Sequence, residues 1–250
     1  MARMSQLLQG KRAFVTGGGR GIGAAVVERL ARDGAHVAFT YVSQPDRANT
    51  TAATARKLGV QALALQADSA DAAAVVSAVG GAAAEWGGLD IVVCNAGILV
   101  MAPVDAYRLE DFDRMVAVNL RAVFVATQAA VKHMGTGGRV ITIGSCNAER
   151  MPFQGGSVYA MTKAALVGLV KGLARDLGPR GITVNNIEPG PIDTDMNPAS
   201  GAFADNLRAL MALPRYGAAQ EVAGLVSYLA GPEAGFITGA SLLIDGGFTA

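Results

Sequence analysis

The stretch Thr16-Gly17-Gly18-Gly19-Arg20-Gly21-Ile22-Gly23 follows an apolar run at residues 12–16 and leads into an amphipathic segment at residues 24–33. Glycines allow the backbone to approach a pyrophosphate, and the start of the following helix offers free N–H groups and the positive end of its dipole. A tight turn would use the same residues, but the position between a strand and a helix favours a dinucleotide. The stretch therefore predicts a strand, a phosphate-binding turn and a helix.

Apolar runs of strand length alternate with longer amphipathic segments along the whole chain. The predicted strands cover residues 12–16, 35–41, 61–66, 91–95, 139–143, 183–188 and 241–244. Predicted helices begin near Gly21, Asp46, Asp71, Asp105, Val116, Tyr159 and Ala219. This alternation predicts an α/β, doubly wound (Rossmann) fold: a parallel seven-stranded sheet with helices on both faces, in one domain. Ligands of such folds bind beyond the carboxyl ends of the strands, so functional residues are expected there.

The composition excludes several function classes. The 250 residues include 21 Lys and Arg and 20 Asp and Glu, with a net charge of +1, and no run of four basic residues occurs. Binding to nucleic acid or to a membrane surface is therefore not expected. Because 51% of residues are hydrophobic and 16% are charged, the chain is expected to fold rather than to be disordered.

The sequence also predicts a cytoplasmic location and no metal. The apolar run at residues 164–170 is far shorter than the about 20 residues that span a bilayer, so no transmembrane helix is expected. Residues 1–12 lack an apolar core followed by a cleavage site, which predicts no secretion signal. Cys94 and Cys146 are isolated thiols without ligand-spaced histidines, which fits a reducing compartment and small buried side chains.

A phenol and an ammonium are predicted on one helix face. Tyr159 and Lys163 are four residues apart, which corresponds to about 6 Å along a helix axis. A positive charge about 5 Å from a phenol, at an effective dielectric of about 20, favours the phenolate by roughly 3 kcal/mol. We therefore expect Lys163 to lower the pKa of Tyr159 and to prepare it for proton transfer. Alone, such a pair also occurs by chance on exposed helices.

A hydroxyl is predicted at the same edge of the sheet. The strand at residues 139–143 is followed by Gly144-Ser145, and the serine precedes Tyr159 by 14 residues. Ser145 can donate to a substrate carbonyl oxygen while Tyr159 supplies a proton. The alternative is a serine that caps a loop.

Together these residues resemble the motifs of the short-chain dehydrogenase/reductase family. Gly17, Gly21 and Gly23 match its TGxxxGxG turn, and the Ser-Tyr-Lys core is present. Similar motifs follow in the family's order, from Thr16 to Gly247: Asn95-Ala96-Gly97, Val118-Asn119-Leu120 and Pro189-Gly190. Within the family the chain most resembles 3-oxoacyl-acyl-carrier-protein reductase-like ketoreductases. The resemblance implies reduction of a carbonyl to an alcohol by hydride transfer.

The resemblance also implies roles for individual residues. Its catalytic residues are Asn119, Ser145, Tyr159 and Lys163, where Asn119 distorts its helix and holds a relay water and Lys163 also bonds the nicotinamide ribose. Asp68 is implied at the adenine, and Ile192 and Thr194 at the carboxamide. The residues expected to bind the cofactor are Gly17, Gly19, Arg20, Gly21, Ile22, Gly23, Tyr41, Ser43, Asp68, Ser69, Asn95, Ala96, Gly97, Tyr159, Lys163, Pro189, Gly190, Ile192 and Thr194.

The end of the second predicted strand favours NADPH over NADH. NAD-binding folds usually place an acid there to accept from the ribose 2′-hydroxyl, whereas here Tyr41 is followed by Val42-Ser43. Arg20, helped by Ser43 and Arg47, is expected to pair with a 2′-phosphate. The alternative is that both arginines are solvated surface charges.

The predicted substrate contacts favour a small free ketone. They are mostly apolar, which suits a hydrophobic or aromatic ketone, and the candidates are Cys146, Asn147, Phe153 and Met196. The carrier-protein reductases hold their acidic partner with basic residues, one set of which precedes the fifth strand. Here that stretch is Gly135-Thr136-Gly137-Gly138, and only Arg180 remains near the other expected position.

Two further segments predict a lid and an assembly. Residues 191–214 are rich in Pro, Gly, Asp and Asn around a short helical stretch, which predicts a mobile flap over the substrate. The predicted helix at residues 159–177 is apolar or small nearly all round, so both of its sides should be covered. A second subunit on the outer side, as in the family's homotetramers, is expected.

Two other functions stay open at this point. One is an NAD-linked alcohol dehydrogenase, which differs in cofactor and direction. The other is a reductase-fold sensor, because residues 189–198 also resemble reductase-like proteins credited with binding a cyclic dinucleotide.

Overall fold

Seven parallel strands form one sheet in the computed structural model, which describes residues 7–250. The predicted absence of a secretion signal falls partly on residues 1–6, which lie outside the described residues. The strands are β1 (Arg12–Thr16), β2 (His36–Tyr41), β3 (Ala62–Gln66), β4 (Leu89–Cys94), β5 (Met134–Ile143), β6 (Thr183–Pro189) and β7 (Ser241–Ile244). The helices are α1 (Gly21–Arg32), α2 (Pro45–Lys57), α3 (Ala72–Trp86), α4 (Leu109–Val116), α5 (Ala122–Ala130), α6 (Ser157–Leu177), α7 (Ala202–Ala209) and α8 (Ala219–Ala230).

The strand order is β3-β2-β1-β4-β5-β6-β7. The chain reverses its direction of travel between β1 and β4, which is where a doubly wound sheet opens its ligand crevice. One apolar layer packs beneath α1, α2 and α8, and a second packs beneath α3, α5 and α6. The predicted fold is confirmed.

Most element boundaries differ from the sequence prediction by one or two residues, and three elements differ more clearly. β5 begins at Met134 rather than at residue 139, because Met134 pairs with Leu89 across an irregular register although glycines follow it. The helix expected near Asp105 is a single 3-10 turn at Val104–Ala106, and α4 begins at Leu109. The helix expected near Val116 is a π-helical segment, Ala117–Arg121, between α4 and α5.

Two continuous helical stretches are long and apolar enough to span a membrane, which the sequence analysis did not expect. They are Leu109–His133 and Ser157–Arg180, each with a mean hydropathy of 1.2. Both cover the same face of the sheet, and core helices of this kind pass the same test of length and composition. The most apolar window of the second stretch is only 28% buried, against 56% for the first, and Met161, Ala164 and Gly168 of α6 are exposed.

The glycine turn joins β1, α1 and β4 by close backbone contact. A Cβ on Gly23 would lie 2.1 Å from the carbonyl oxygen of Gly17, so only glycine fits there. Asn95 Nδ2 donates to that same oxygen at 3.0 Å, and Thr16 Oγ1 accepts from the backbone of Asn95 at 3.0 Å. These contacts fix the turn against the end of β4.

Candidate active site

A cavity of about 650 Å³ opens at the carboxyl ends of the strands. With the exception of Arg47, the residues predicted to contact cofactor or substrate line it, together with Ser145. Asn119 does not line the cavity either, since it is fully buried. Side chains that are far apart in the sequence therefore meet in one space.

Tyr159 and Lys163 share one face of α6, as their spacing predicts. Lys163 Nζ lies 5.7 Å from the centroid of the Tyr159 ring. The lysine is only 4% exposed, and its ammonium donates to the Ile143 carbonyl oxygen at 2.9 Å, at the end of β5. Burial lowers the pKa of Lys163 to about 8, because the interior disfavours the charged form.

The expected direction of the Tyr159 pKa is wrong. Burial raises the pKa of Tyr159 to about 12, and a hydrogen bond with Ser145 opposes this rise without cancelling it. The physical reason is that desolvation of the phenolate outweighs the attraction of an ammonium that does not contact its oxygen. The phenol therefore keeps its proton at neutral pH.

Ser145 stands at the end of β5 and begins a 3-10 turn. Its Oγ accepts from the backbone N–H of Asn147 at 3.1 Å and lies 3.2 Å from Asn147 Oδ1, to which it donates. The serine thus caps a loop, as the alternative prediction has it, and its hydroxyl also reaches the Tyr159 phenol. Next to it, burial raises the pKa of Cys146 to about 12, so this thiol stays protonated.

Asn119 lies in the π-helical segment, which is the helix distortion implied for it. Its Oδ1 accepts from the Ile98 N–H and its Nδ2 donates to the Ile98 carbonyl, both at 2.9 Å. A third bond runs from Nδ2 to Thr162 Oγ1 on α6 at 3.2 Å. The amide therefore ties the chain after β4 to the helix that carries the phenol and the ammonium.

The arginines predicted near a 2′-phosphate lie beside a carboxylate that the sequence analysis did not consider. Arg47 forms an ion pair with Asp195, and Arg20 Nη1 lies 4.0 Å from the same carboxylate. Asp195 lies in the predicted flap, far along the chain from both arginines. No local sequence pattern indicates a contact between segments so far apart. Arg20 and Ser43 line the main cavity, whereas Arg47 and Asp195 border a smaller one on the outer side of the turn.

The cavity wall contains two further residues that the sequence analysis missed. Arg114 from α4 lies 3.8 Å from the Asp68 carboxylate and lines the cavity with it. Thr40 Oγ1 accepts from the Gly17 N–H at 3.0 Å and steadies the glycine turn. Thr40 lies within β2 and Arg114 within α4, so neither was included in the expectation that functional residues directly follow the strands.

The far end of the cavity is apolar and partly aromatic. Phe153, a predicted contact, pairs with Phe203 of α7 at 5.4 Å between ring centroids. Phe248, near the end of the chain, also lines this end and was not predicted. The sequence contains no local signal for Phe203 or Phe248, because only the fold brings α7 and the last residues over the Ser145 loop.

The chain is similar to known proteins along nearly its whole length. A family model described as enoyl-(acyl carrier protein) reductase matches residues 17–249. The cyclic-di-GMP-binding biofilm dispersal mediator protein of Escherichia coli K12 is 48% identical over 241 residues, which are 96% of this chain and 98% of that one.

Solved structures agree with the family model. A short-chain dehydrogenase/reductase from Serratia marcescens is 61% identical, with a TM-score of 0.97, over 98% of this chain and 100% of that chain. A short-chain dehydrogenase from Burkholderia cenocepacia, solved in complex with NADP, is 56% identical with the same TM-score and coverage. With its Ser-Tyr-Lys geometry and parallel sheet, this chain belongs to the short-chain dehydrogenase/reductase family of oxidoreductases.

Proposed function

We propose that this protein reduces a ketone to an alcohol with NADPH, with Tyr159 as the proton donor. The observation that carries the proposal is the convergence of Ser145, Tyr159 and Lys163 on one wall of a cavity whose other end is the glycine turn. The Burkholderia relative, which contains NADP, supports the choice of cofactor.

The glycine turn fits a dinucleotide on physical grounds. The N-terminus of α1 has no side-chain cap, so its first N–H groups remain free beside the cavity. A Cβ on Gly18 would lie 2.5 Å from Phe39, and one on Gly23 would meet the Gly17 carbonyl, so the turn needs glycine to hold this shape. Free N–H groups and the helix dipole are suited to a pyrophosphate.

The protein's own residues supply the proton and hold the substrate. When bound, NADPH supplies the hydride. Ser145 and Tyr159 donate hydrogen bonds to the carbonyl oxygen, which takes the Tyr159 proton as negative charge develops on it. The Lys163 ammonium, 5.7 Å from the ring, stabilises the phenolate that remains. Because the pKa of Lys163 is about 8, this stabilisation is present at neutral pH and is lost as the pH rises past that value.

Tyr159→Phe is expected to reduce kcat by at least about 10²-fold, because the phenol contributes the proton. The dissociation constant for NADPH, measured by quenching of protein fluorescence, should change little, since the ring remains. The matched control is Tyr228→Phe, which removes a phenol from α8, outside the cavity lining. Turnover of Tyr159→Phe at the wild-type rate would contradict the proposed proton donor.

The preference for NADPH rests on charge at the outer side of the glycine turn. Arg20 and Arg47 border the outer side of the glycine turn, and no acid directly follows β2, which supports this preference. Asp195 shares both guanidinium groups, so a bound phosphate competes with that carboxylate.

Arg20→Ala is expected to lower kcat/KM for NADPH by roughly tenfold while leaving kcat/KM for NADH nearly unchanged, because only NADPH has the 2′-phosphate. Arg32→Ala, at the far end of α1, is the control. The measurement is the ratio of kcat/KM for the two cofactors. A wild-type ratio below one would favour the alternative of an NAD-linked alcohol dehydrogenase.

The substrate end of the cavity suits a hydrophobic or aromatic ketone. Cys146, Phe153 and Met196 supply apolar surface there, and Asn147 supplies an amide beside Ser145. The Phe153–Phe203 pair joins the Ser145 loop to α7, which supports a role for residues 191–214 as a flap. Because residues 135–138 carry no basic side chain, we favour a small free ketone over an acyl-carrier protein.

A homotetramer in the cytoplasm completes the proposal. Met161, Ala164 and Gly168 lie along the uncovered side of α6, and Phe124 of α5 is 43% exposed on the same layer. Apolar and small side chains of this kind allow close contact with a second copy. Two buried thiols and a dependence on NADPH fit a reducing compartment.

Ala164→Arg is expected to convert the tetramer to a smaller species in sedimentation velocity, because a charged side chain would enter the helix contact. Arg175→Lys, on an exposed position of the same helix, should leave the assembly intact. A wild-type protein that sediments only as a monomer would contradict the proposed assembly.

A second candidate function is binding of a cyclic dinucleotide. The observation that favours it is the 48% identity with the Escherichia coli protein, whose name describes cyclic-di-GMP binding. Isothermal titration with cyclic-di-GMP, in the presence and absence of NADPH, tests it beside a ketone-dependent NADPH oxidation assay. Micromolar binding without ketone turnover would favour the sensor, whereas turnover without binding would favour the reductase.

A further inference from the structure

A row of polar side chains crosses three strands just below the Ser145 loop. Thr142 of β5, Asn186 of β6 and Ser241 of β7 stand side by side in the strand register. Thr142 Oγ1 lies 2.7 Å from Asn186 Oδ1, and Asn186 Nδ2 lies 3.2 Å from Ser241 Oγ. Thr142 and Asn186 are fully buried, so the Asn186 amide depends on these partners for its hydrogen bonds.

Glu188 lies two residues further along β6, on the same face of the sheet. It is 1% exposed, and its Oε1 accepts from Asn186 Nδ2 at 2.9 Å. Among residues 7–250, no Lys, Arg or His lies within 4 Å of this carboxylate. The titratable groups that face it are Glu149 and the Cys146 thiol, with Asp245 on the other side of the thiol. A buried carboxylate with acidic neighbours and no counter-ion destabilises the fold.

The Asn186 amide supports the backbone of the catalytic strand end. A Cβ on Gly144 would lie 2.8 Å from both Nδ2 and Oδ1 of Asn186, so the amide lies directly against Gly144. Gly144 separates Ile143, whose carbonyl holds Lys163, from Ser145. The placement of one buried amide therefore bears on the lysine and the serine at once.

Only Glu188 distinguishes the two orientations of that amide. The Thr142 hydroxyl can donate or accept, so it serves either end of the Asn186 amide. The Ser241 hydroxyl donates to the Glu188 carboxylate and accepts from Asn186 Nδ2, so its direction also depends on Glu188. An ionised carboxylate can only accept hydrogen bonds. Asn186 Nδ2 therefore points toward Glu188, and Asn186 Oδ1 points toward Thr142. We propose that Glu188 is a positioning residue for the proposed reduction: it holds the Asn186 amide in place against Gly144, which lies between the Lys163 acceptor Ile143 and Ser145.

This inference rests on the proposed function and has a consequence for pH. Burial and the nearby Glu149 raise the pKa of Glu188. As the pH falls through that raised pKa, the carboxyl gains a proton and becomes a donor as well as an acceptor. The amide then loses its fixed orientation, so kcat should fall at a pH above the ordinary range of a glutamate.

Glu188→Gln tests the inference, because glutamine matches the size of Glu188 and, like the protonated acid, both donates and accepts. It is expected to lower kcat at neutral pH by roughly threefold to tenfold, the effect of one hydrogen bond. The fall of kcat on the acid side should disappear, while the dissociation constant for NADPH stays within about twofold. The Tm should hold or rise, because a buried charge without a counter-ion is removed.

Two other glutamates sharpen the comparison, one beside Glu188 and one distant control. Glu149→Gln removes a like charge beside Glu188, so the fall of kcat on the acid side should move to lower pH. Glu85→Gln, on the exposed side of α3, should leave the profile unchanged. Glu188→Gln with the wild-type kcat and the wild-type pH profile overturns the inference, as does a lower Tm with an unchanged profile.

If the wild type turns over no ketone, the proposed function is contradicted rather than this inference. The positioning role of Glu188 can then be tested without substrate. The Gly144 N–H donates to the Ile187 carbonyl at 2.6 Å, so its hydrogen exchange reports on the support beneath it. Faster exchange at residues 144–147 in Glu188→Gln than in the wild type supports the inference. Equal exchange overturns it.

Discussion

The hydrogen bond from the Lys163 ammonium to the Ile143 carbonyl joins α6 to the end of β5 in the central sheet. It holds a charged group in an almost fully buried place, which is costly unless the charge is hydrogen-bonded. One end of the bond is fixed by the pairing of β5 with β4 and β6, and the other by the packing of α6 on the sheet. Because both β5 and α6 pack in the core, the position of Lys163 is held by the fold itself.

Burial acts in opposite directions on the two ionisable groups of α6. It lowers the pKa of Lys163 to about 8 and raises that of Tyr159 to about 12. At neutral pH the helix thus presents a protonated phenol beside a largely protonated amine. That combination suits donation of a proton to a carbonyl oxygen, and a bound nicotinamide would change the surroundings of both groups.

Charge and apolar surface divide the cavity between its two ends. Arg20 and Asp68 border the end beside the glycine turn, and the Phe153–Phe203 pair borders the other end. Residues 191–214 touch both ends, since Asp195 meets the arginines while Phe203 meets the aromatic wall. Under the proposed function, this one segment lies beside both the cofactor and the substrate.

Much of the fold and of the candidate site could be predicted from local pattern. Alternating apolar runs specify parallel strands and helices, the glycine spacing specifies a phosphate turn, and a four-residue interval specifies that Tyr159 and Lys163 share a face. All of these signals lie within a few residues of one another, where helix and strand geometry is fixed by the backbone alone. The early start of β5 escaped this reasoning because it depends on the pairing of Met134 with Leu89 of β4, and the glycines that follow Met134 give no local strand pattern.

Long-range placement decided the rest. The direction of the Tyr159 pKa depends on how much water reaches the phenol, and the pairing of Arg47 with Asp195 depends on where the chain after β6 returns. In the sequence, Glu188 is an acid before Pro189-Gly190 with no feature that marks it as buried. Only the packing of the sheet places it near the residues that follow Ser145. Sequence alone determined which chemical groups are present and on which elements they lie; the tertiary structure decided their solvation and their partners, because both are set by residues distant in the chain.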